Sequence, residues 1–208
     1  SYTLNELADA IGAPVPPGMS GEKRFSSVSK DTRTLEPGQV YFALKGERFD
    51  GEQFVGNAFD AGAAAAVATR PHAEGPCLVV SDPLKALQDF AAQHRRRYDL
   101  PLIAITGSCG KTSSKDFTAA VLGSKLKVVK TKGNLNNDIG CPLSLLEIDE
   151  STEAAVIEMG ANHKGEIARL CEIARPTESA ITLVAPSHLE GFGTLEDVAS
   201  AKGERSEE

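Results

Sequence analysis

Leu102-Ile103-Ala104-Ile105-Thr106 is an apolar, strand-like run that passes directly into Gly107-Ser108-Cys109-Gly110-Lys111-Thr112. Residue types in that order suit phosphate. The glycines let successive backbone N–H groups turn inward. A helix opening at Lys111 adds the positive end of its dipole. The lysine can bridge outer phosphates, and the Thr112 hydroxyl can hold Mg²⁺. The strict Walker pattern places a glycine where this chain has Ile105. A glycine turn alone has a structural reading. A strand before it, Lys-Thr after it and a helix following make nucleotide binding the expectation.

Further polar clusters fall between apolar segments. Asn134, Asn136 and Asn137 suit left-handed turn positions or substrate contact. Glu158 closes an apolar run and is followed by Asn162 and His163; a strand-end carboxylate is either a metal ligand or simply solvated. His163 reads as a capping or solvent-facing residue. His188 sits in a glycine-bounded loop and Lys202 in a helical stretch, each with a plain structural reading beside a catalytic one. Asp31-Thr32-Arg33 and Asp50 lie in turn-rich sequence, where an acid and a base either pair with each other or hold a polar ligand. His72 and His94 read as surface residues. The basic run Arg95–Arg97 ends a helical stretch, where positive charge complements the helix dipole.

The elements that must position these groups follow a strand–helix rhythm from residue 101. Strands are expected at 102–106, 126–131, 153–159 and 179–185. Helices are expected after Gly110, over PLSLLEI, over KGEIARLCEIA and over TLEDVASAKGE. In KGEIARLCEIA one face carries Ile167, Leu170, Cys171 and Ala174, a helical period. Apolar strands alternating with amphipathic helices imply a parallel sheet with helices on both faces, and such sheets bind ligands beyond the carboxyl ends of their strands. Residues 1–82 consist of short, turn-rich segments, with strands at 41–44 and 77–80 and a helix leading into the alanine run at 63–66. Ser81-Asp82-Pro83 punctuates the boundary, and an amphipathic helix follows. The expectation is an α/β protein: a small mixed α/β domain over 1–82, then a partial, doubly wound parallel-sheet P-loop domain over 83–208.

Composition excludes some classes. The net charge of −7 disfavours sequence-independent nucleic-acid binding and anionic membrane surfaces, which need basic patches. No run approaches the roughly 18 apolar residues of a membrane-spanning helix. SYTLNELADAIG reads as an amphipathic start and not as a signal peptide. Cys77, Cys109, Cys141 and Cys171 are scattered without CxxC spacing, so free thiols are expected, with a cytoplasmic location.

Thr106–Thr112 (TGSCGKT) resembles the variant P-loop of the Mur ligases. Thr131–Gly140 (TKGNLNNDIG), Glu158–His163 with Gly165-Glu166-Ile167, Ser187–Gly193 (SHLEGFG) and Ala201–Glu204 (AKGE) resemble the stretches of those Mur ligases that add D-alanyl-D-alanine. Asp31-Thr32-Arg33 and Gly46–Gly51 resemble the elements that hold the uridine nucleotide. These ordered motifs extend over nearly the whole chain. The resemblance implies an ATP- and Mg²⁺-dependent ligase of peptidoglycan synthesis. ATP phosphorylates the terminal carboxylate of UDP-N-acetylmuramoyl-tripeptide, and the amine of D-alanyl-D-alanine then displaces phosphate. It implies nucleotide binding by Gly107, Ser108, Cys109, Gly110, Lys111 and Thr112. Substrate contacts would come from Asp31, Thr32, Arg33, Asp50, Asn134, Asn136, Asn137 and Asn162. Catalytic roles would fall to Lys111, Glu158, His188 and Lys202. Metal ligation would use Thr112, Glu158, His188 and, as a carbamate, Lys202. Competing expectations are a non-catalytic relative that binds UDP-muramyl peptide or phosphate, and a neighbouring Mur ligase adding the third peptide residue. The GNxNN and EMGANH stretches argue against the last.

The sequence also departs from the pattern. Thr182-Leu183-Val184-Ala185-Pro186 replaces the usual T-N-V-G before the histidine motif, and Glu52 replaces the histidine of D-G-H. The family pattern continues beyond Lys202-Gly203-Glu204 through the rest of the ATPase sheet and a C-terminal domain. An incomplete, inactive fragment is the corresponding expectation.

Overall fold

The computed structural model describes residues 1–46, 49–185 and Gly203. The chain divides into two compact units, Ser1–Phe90 and a second from Ala91 onward.

In the first unit, a short antiparallel pair joins β1 (Tyr2–Thr3) to β2 (Arg24–Phe25). Helix α1 (Leu4–Ile11) starts on a capping box: the Glu6 N–H donates to Thr3 Oγ1 (3.2 Å) and the Thr3 N–H to the Glu6 carboxylate (2.7 Å). Two orphan donors of the first turn are thereby satisfied, and Gly12 ends the helix at φ 66°. A four-stranded parallel sheet follows in the order β3-β4-β5-β6: β3 (Val28–Ser29), β4 (Val40–Phe42), β5 (Ala65–Ala68) and β6 (Cys77–Val79). A 3-10 turn (Gly51–Phe54) leads into α2 (Val55–Asp60), whose Val55 and Ala58 pack on Tyr41, Ala66 and Ala68. The end of the alanine run, Ala65 and Ala66, therefore lies in a buried central strand against a helix, where small side chains permit close approach. Tyr2, Phe25 and Phe90 form an aromatic cluster with ring centroids 5.0–6.0 Å apart.

Helix α3 (Pro83–Arg95) carries the chain into the second unit. Its sheet is parallel in the order β10-β7-β9-β8: β7 (Leu102–Thr106), β8 (Val128–Lys130), β9 (Ala154–Glu158) and β10 (Glu178–Ile181). The period of two assigns faces. Leu102, Ala104, Ala155 and Ile157 pack with α5 (Gly140–Leu145) and α6 (Glu166–Ala174). Ile103, Ile105 and Val156 pack with α4 (Lys111–Gly123) through Ala119 and Leu122. Helices on both faces of a parallel sheet are the expected α/β architecture. The fourth strand differs from expectation: the ladder begins at Glu178 and ends at Ile181, and all its residues are exposed. β10 pairs only with β7 in the described sheet, and the residues after it hydrogen-bond to Thr106 and to the glycine loop.

Two expectations of surface residues are corrected. His94 is only 2% exposed, with Nε2 2.8 Å from the Ile148 carbonyl and its ring edge-on to Tyr98. His72 is largely buried, with Nε2 2.5 Å from a Glu52 carboxylate oxygen; the same carboxylate receives the Thr69 N–H and hydroxyl. Burial opposes ionisation of Glu52, yet the hydrogen bonds from Thr69 and His72 outweigh it and hold its carboxyl below the usual range.

Burial pushes His94 down from 6.5 to about 4, against the opposing pull of the Ile148 carbonyl. The folded state therefore holds His94 neutral while the unfolded chain protonates it, so its stabilising contribution is complete above pH 6.5 and is lost as pH falls toward 4. Linkage gives a loss of about 2.5 kcal/mol between pH 7 and 4.5. Urea unfolding across that range should show this slope, and His94→Gln should flatten it. An unchanged slope in the variant would assign the acid sensitivity to other groups.

Candidate functional site

The Gly107–Thr112 loop joins β7 to α4. Gly107 has φ 140° and Gly110, the α4 N-cap, φ 84°. A Cβ on Gly107 would lie 2.1 Å from Thr182 Oγ1, so backbone conformation and space both require glycine. The segment after β10 holds the loop from the other side. The Ser108 N–H donates to the Leu183 carbonyl (2.7 Å) and the Ser108 hydroxyl to the Ala185 carbonyl (2.9 Å). The Thr182 hydroxyl donates to the Cys109 carbonyl (2.5 Å). Thr182–Ala185, where the sequence leaves the family pattern, is thus the loop's support, a role that sequence reasoning missed. Cys109, Gly110 and Thr112 are exposed at the loop rim. Lys111 Nζ folds back 2.8 Å from the Gly107 carbonyl, leaving the ammonium over the loop it would share with phosphate.

Glu158 ends β9 in register with Ile105, and the Met159 N–H donates to the Ile105 carbonyl. Its carboxylate therefore stands at the strand ends beside the loop. It is 1% exposed. Oε1 accepts from the Asn136 amide (2.7 Å), and the Glu158 backbone N–H donates to Thr131 Oγ1 (2.9 Å). Oε2 is buried and finds no hydrogen-bond partner among the described residues; its nearest cation is Lys115 Nζ at 3.8 Å. A buried carboxylate oxygen without a donor is costly, and a divalent cation would satisfy it. A carboxylate oxygen suits Mg²⁺, which prefers hard oxygen ligands.

The three asparagines separate. Asn136 orients Glu158. Asn137 Oδ1 accepts from the Gly140 N–H (2.8 Å) at the start of α5, a turn-closing role. Asn134 is exposed. Asn162 is exposed, and its backbone N–H is held by Glu166 (2.6 Å), which also meets the ring of His163 (3.2 Å). His188 and Lys202 lie outside the described residues, as do Arg48 and the rest of the histidine motif.

In the first unit a cavity of about 430 Å³ is lined by Lys30, Asp31, Thr32, Arg33, Tyr41, Phe49 and Phe54. Asp31 and Arg33 form a bidentate pair, Nε–Oδ1 2.9 Å and Nη2–Oδ2 2.6 Å. Side-chain and backbone hydrogen bonds from Arg33 hold the Asp31 carboxyl down to about 2. Phe49 and Phe54 are 54% and 41% exposed, leaving ring faces beside the cavity that a flat ligand could cover. Asp50 is turned to a local task, accepting the Glu52 N–H (3.0 Å) to start the 3-10 turn. The aromatic lining was not evident in the sequence, although Phe49 lies inside the motif that pointed there.

A glycine loop between an inner parallel strand and a helix, with a carboxylate ending the neighbouring strand, defines the second unit as a P-loop α/β domain. Residues 105–205 match the Mur ligase middle domain, and residues 24–95 match the Mur ligase family catalytic domain. The chain belongs to the Mur ligase family. It is 43% identical over 205 residues to the UDP-N-acetylmuramoyl-tripeptide–D-alanyl-D-alanine ligase of Escherichia coli (strain K12), covering 98% of this chain and 45% of that protein. It is 41% identical to the Bacillus subtilis (strain 168) protein of the same name, covering 96% of this chain and 45% of that one. Among solved structures, MurF from Acinetobacter baumannii matches with a TM-score of 0.93 at 36% identity, over 98% of this chain and 45% of its own. MurF ligase from Thermotoga maritima in complex with ADP matches at 0.79 and 34% identity, over 88% of this chain and 42% of its own. The chain spans about 45% of the length of the curated relatives it matches. No helix among the described residues is long and apolar enough to cross a membrane.

Proposed function

We propose that this chain carries the uridine-nucleotide and ATP-phosphate sites of a ligase that adds D-alanyl-D-alanine to UDP-N-acetylmuramoyl-tripeptide. Residues 1–82 would take the UDP-muramyl substrate and residues 83–208 ATP. The observation that carries this reading is the pairing of a glycine loop, shaped for phosphate, with the buried Oε2 of Glu158 at the adjoining strand end, which has no donor among the described residues. The relatives' shared name supplies the substrates.

The loop amides and Lys111 would grip the β- and γ-phosphates. Thr112 and Glu158 would hold Mg²⁺, which neutralises charge on the transferring phosphoryl group. Asn136 would keep Glu158 turned toward that position. The terminal carboxylate of the tripeptide would take the γ-phosphoryl group from ATP, releasing ADP. The dipeptide amine would then form the amide bond as phosphate leaves. His188 and Lys202, the latter as a carbamate, are proposed to add further metal contacts. In the first unit, Arg33 would exchange its Asp31 partner for diphosphate oxygens, and Phe49 and Phe54 would cover the uracil ring. Thr32, Asp50, Asn134, Asn137 and Asn162 remain proposed substrate contacts, Asn137 through its amide because its oxygen closes the α5 turn.

Calorimetric titration with UDP-N-acetylmuramoyl-tripeptide should give saturable binding that a uridine-free muramyl tripeptide does not. Arg33→Ala should weaken it about 10-fold, the worth of one charge-assisted hydrogen bond, without changing Tm, since the Arg33 side chain is 86% exposed. Equal binding of both ligands would overturn the assignment of the first-unit cavity.

A further inference from the structure

Lys115 follows Lys111 by one helical turn on α4, yet unlike it is buried, at 2% exposure. Burying an ammonium is costly unless charge compensates it. Two carboxylates do so. Nζ lies 3.6 Å from Asp116 Oδ1 and 3.8 Å from Glu158 Oε2. Asp116 is exposed at the surface and already receives Lys130 at 2.7 Å. Glu158 is fully buried, and the oxygen facing Lys115 is the one without a hydrogen-bond partner among the described residues. At 3.8 Å the two charges attract without a direct hydrogen bond, so Oε2 keeps its lone pairs open while the ammonium balances its charge.

We propose that Lys115 is a positioning residue, a built-in counter-cation that keeps Glu158 aimed while no metal is present and that sets how tightly a divalent cation is taken at Oε2. The inference rests on the reading of Glu158 as a metal ligand. Asn136 fixes one carboxylate oxygen by a hydrogen bond, and Lys115 compensates the other by charge alone. A divalent cation arriving at Oε2 meets the repulsion of a fixed positive charge nearby. That repulsion tunes affinity downward, so that the metal would be held firmly only when nucleotide phosphates add negative charge. Lys111 cannot serve in this way, because its ammonium is bonded to the Gly107 carbonyl.

The test is thermal unfolding of the whole chain, without nucleotide, across a Mg²⁺ titration. Lys115→Met and Lys115→Gln should both unfold at lower temperature than the parent without metal, because each leaves the Glu158 charge uncompensated. Mg²⁺ should restore them with a midpoint at least about 10-fold lower than the parent requires, as expected for removing a like charge at this separation in a partly buried site. Lys115→Arg, which retains the charge, should keep the parental midpoint. Adding Glu158→Gln to Lys115→Met should abolish the Mg²⁺ response. Neutral variants with the parental midpoint or a higher one would overturn the proposal, as would failure of both to fold at any Mg²⁺ concentration. A parental Mg²⁺ response that survives Glu158→Gln alone would instead overturn the reading of Glu158 as a ligand.

Discussion

Gly107→Ala should cost at least about 100-fold in ADP affinity, roughly 2.7 kcal/mol, whereas Gly123→Ala should cost nothing. Both sites gain one methyl group; the surroundings decide the outcome. At Gly107 the backbone has φ 140°, and the new Cβ would stand 2.1 Å from Thr182 Oγ1 and 3.1 Å from the Leu183 nitrogen. Thr182 cannot easily retreat, because its hydroxyl contacts the Thr106 and Cys109 carbonyls and its N–H donates to the Thr106 carbonyl. The strain therefore falls on the loop amides that would face phosphate. Gly110 is the informative intermediate. Its φ of 84° disfavours a side chain, but a Cβ there meets nothing closer than 3.8 Å. Gly110→Ala should cost only the left-handed backbone penalty, about 1–2 kcal/mol. Gly123 ends α4 without a positive φ, and a methyl group there would have no heavy atom within 4 Å, so alanine should stabilise by about 0.5–1 kcal/mol. Calorimetry with ADP gives the ranking. Parental ADP affinity in Gly107→Ala would mean that the nucleotide does not use the loop.

The contrast among these glycines reflects what the sequence could disclose. The loop itself was legible because β7 is an unbroken apolar strand and the glycine-lysine-threonine order names its own chemistry. The helical face of α6 was legible for a similar reason: Ile167, Leu170 and Ala174 repeat at helical spacing and are buried together. The support of the loop was not legible. Thr182–Ala185 reads as the continuation of an apolar strand, yet Leu183 and Ala185 turn their carbonyls to Ser108, the latter pair 77 residues apart, and no local pattern encodes such a pairing. Likewise, Asn136 and Asn137 are adjacent and chemically identical, but one points at Glu158 and the other closes the α5 turn. Their tasks depend on where β9 brings its carboxylate. β1, β2 and β3 have two residues each, too few for any periodicity to appear.

Arg95 is the residue whose sequence context misled most, and its removal should have the largest effect on stability. It reads as one of three arginines ending a helix, placed to complement that helix's own dipole. The structure buries it and sends its donors elsewhere: Nε to the Ala174 carbonyl (2.9 Å), Nη1 to Tyr98 (2.5 Å) and Nη2 to Leu100 (3.2 Å) and Arg175 (3.4 Å). Ala174 is the last residue of α6, and Arg175 is its left-handed C-cap at φ 44°. The guanidinium thus closes the carboxyl end of a different helix, where a cation is favourable, and ties it to the segment that enters β7. Burial lowers the Arg95 pKa, with Arg175 adding to the effect, so the folded state holds this charge at a cost that the carbonyls offset. Arg95→Ala would leave those buried carbonyls without their donor. The expected destabilisation is about 4 kcal/mol, or a fall in Tm of roughly 10 °C. Arg95→Lys should recover less than half of that, because an ammonium cannot reproduce the planar fork that reaches several carbonyls at once. Arg96→Ala, one position along and exposed, should stay within about 0.5 kcal/mol of the parent. Urea and thermal unfolding of the three variants would decide the point. If Arg95→Ala and Arg96→Ala behaved alike, the α6 end would have to be held by its own backbone bond from Arg175 to the Cys171 carbonyl (2.7 Å), and the buried guanidinium would be a passenger of the packing around it.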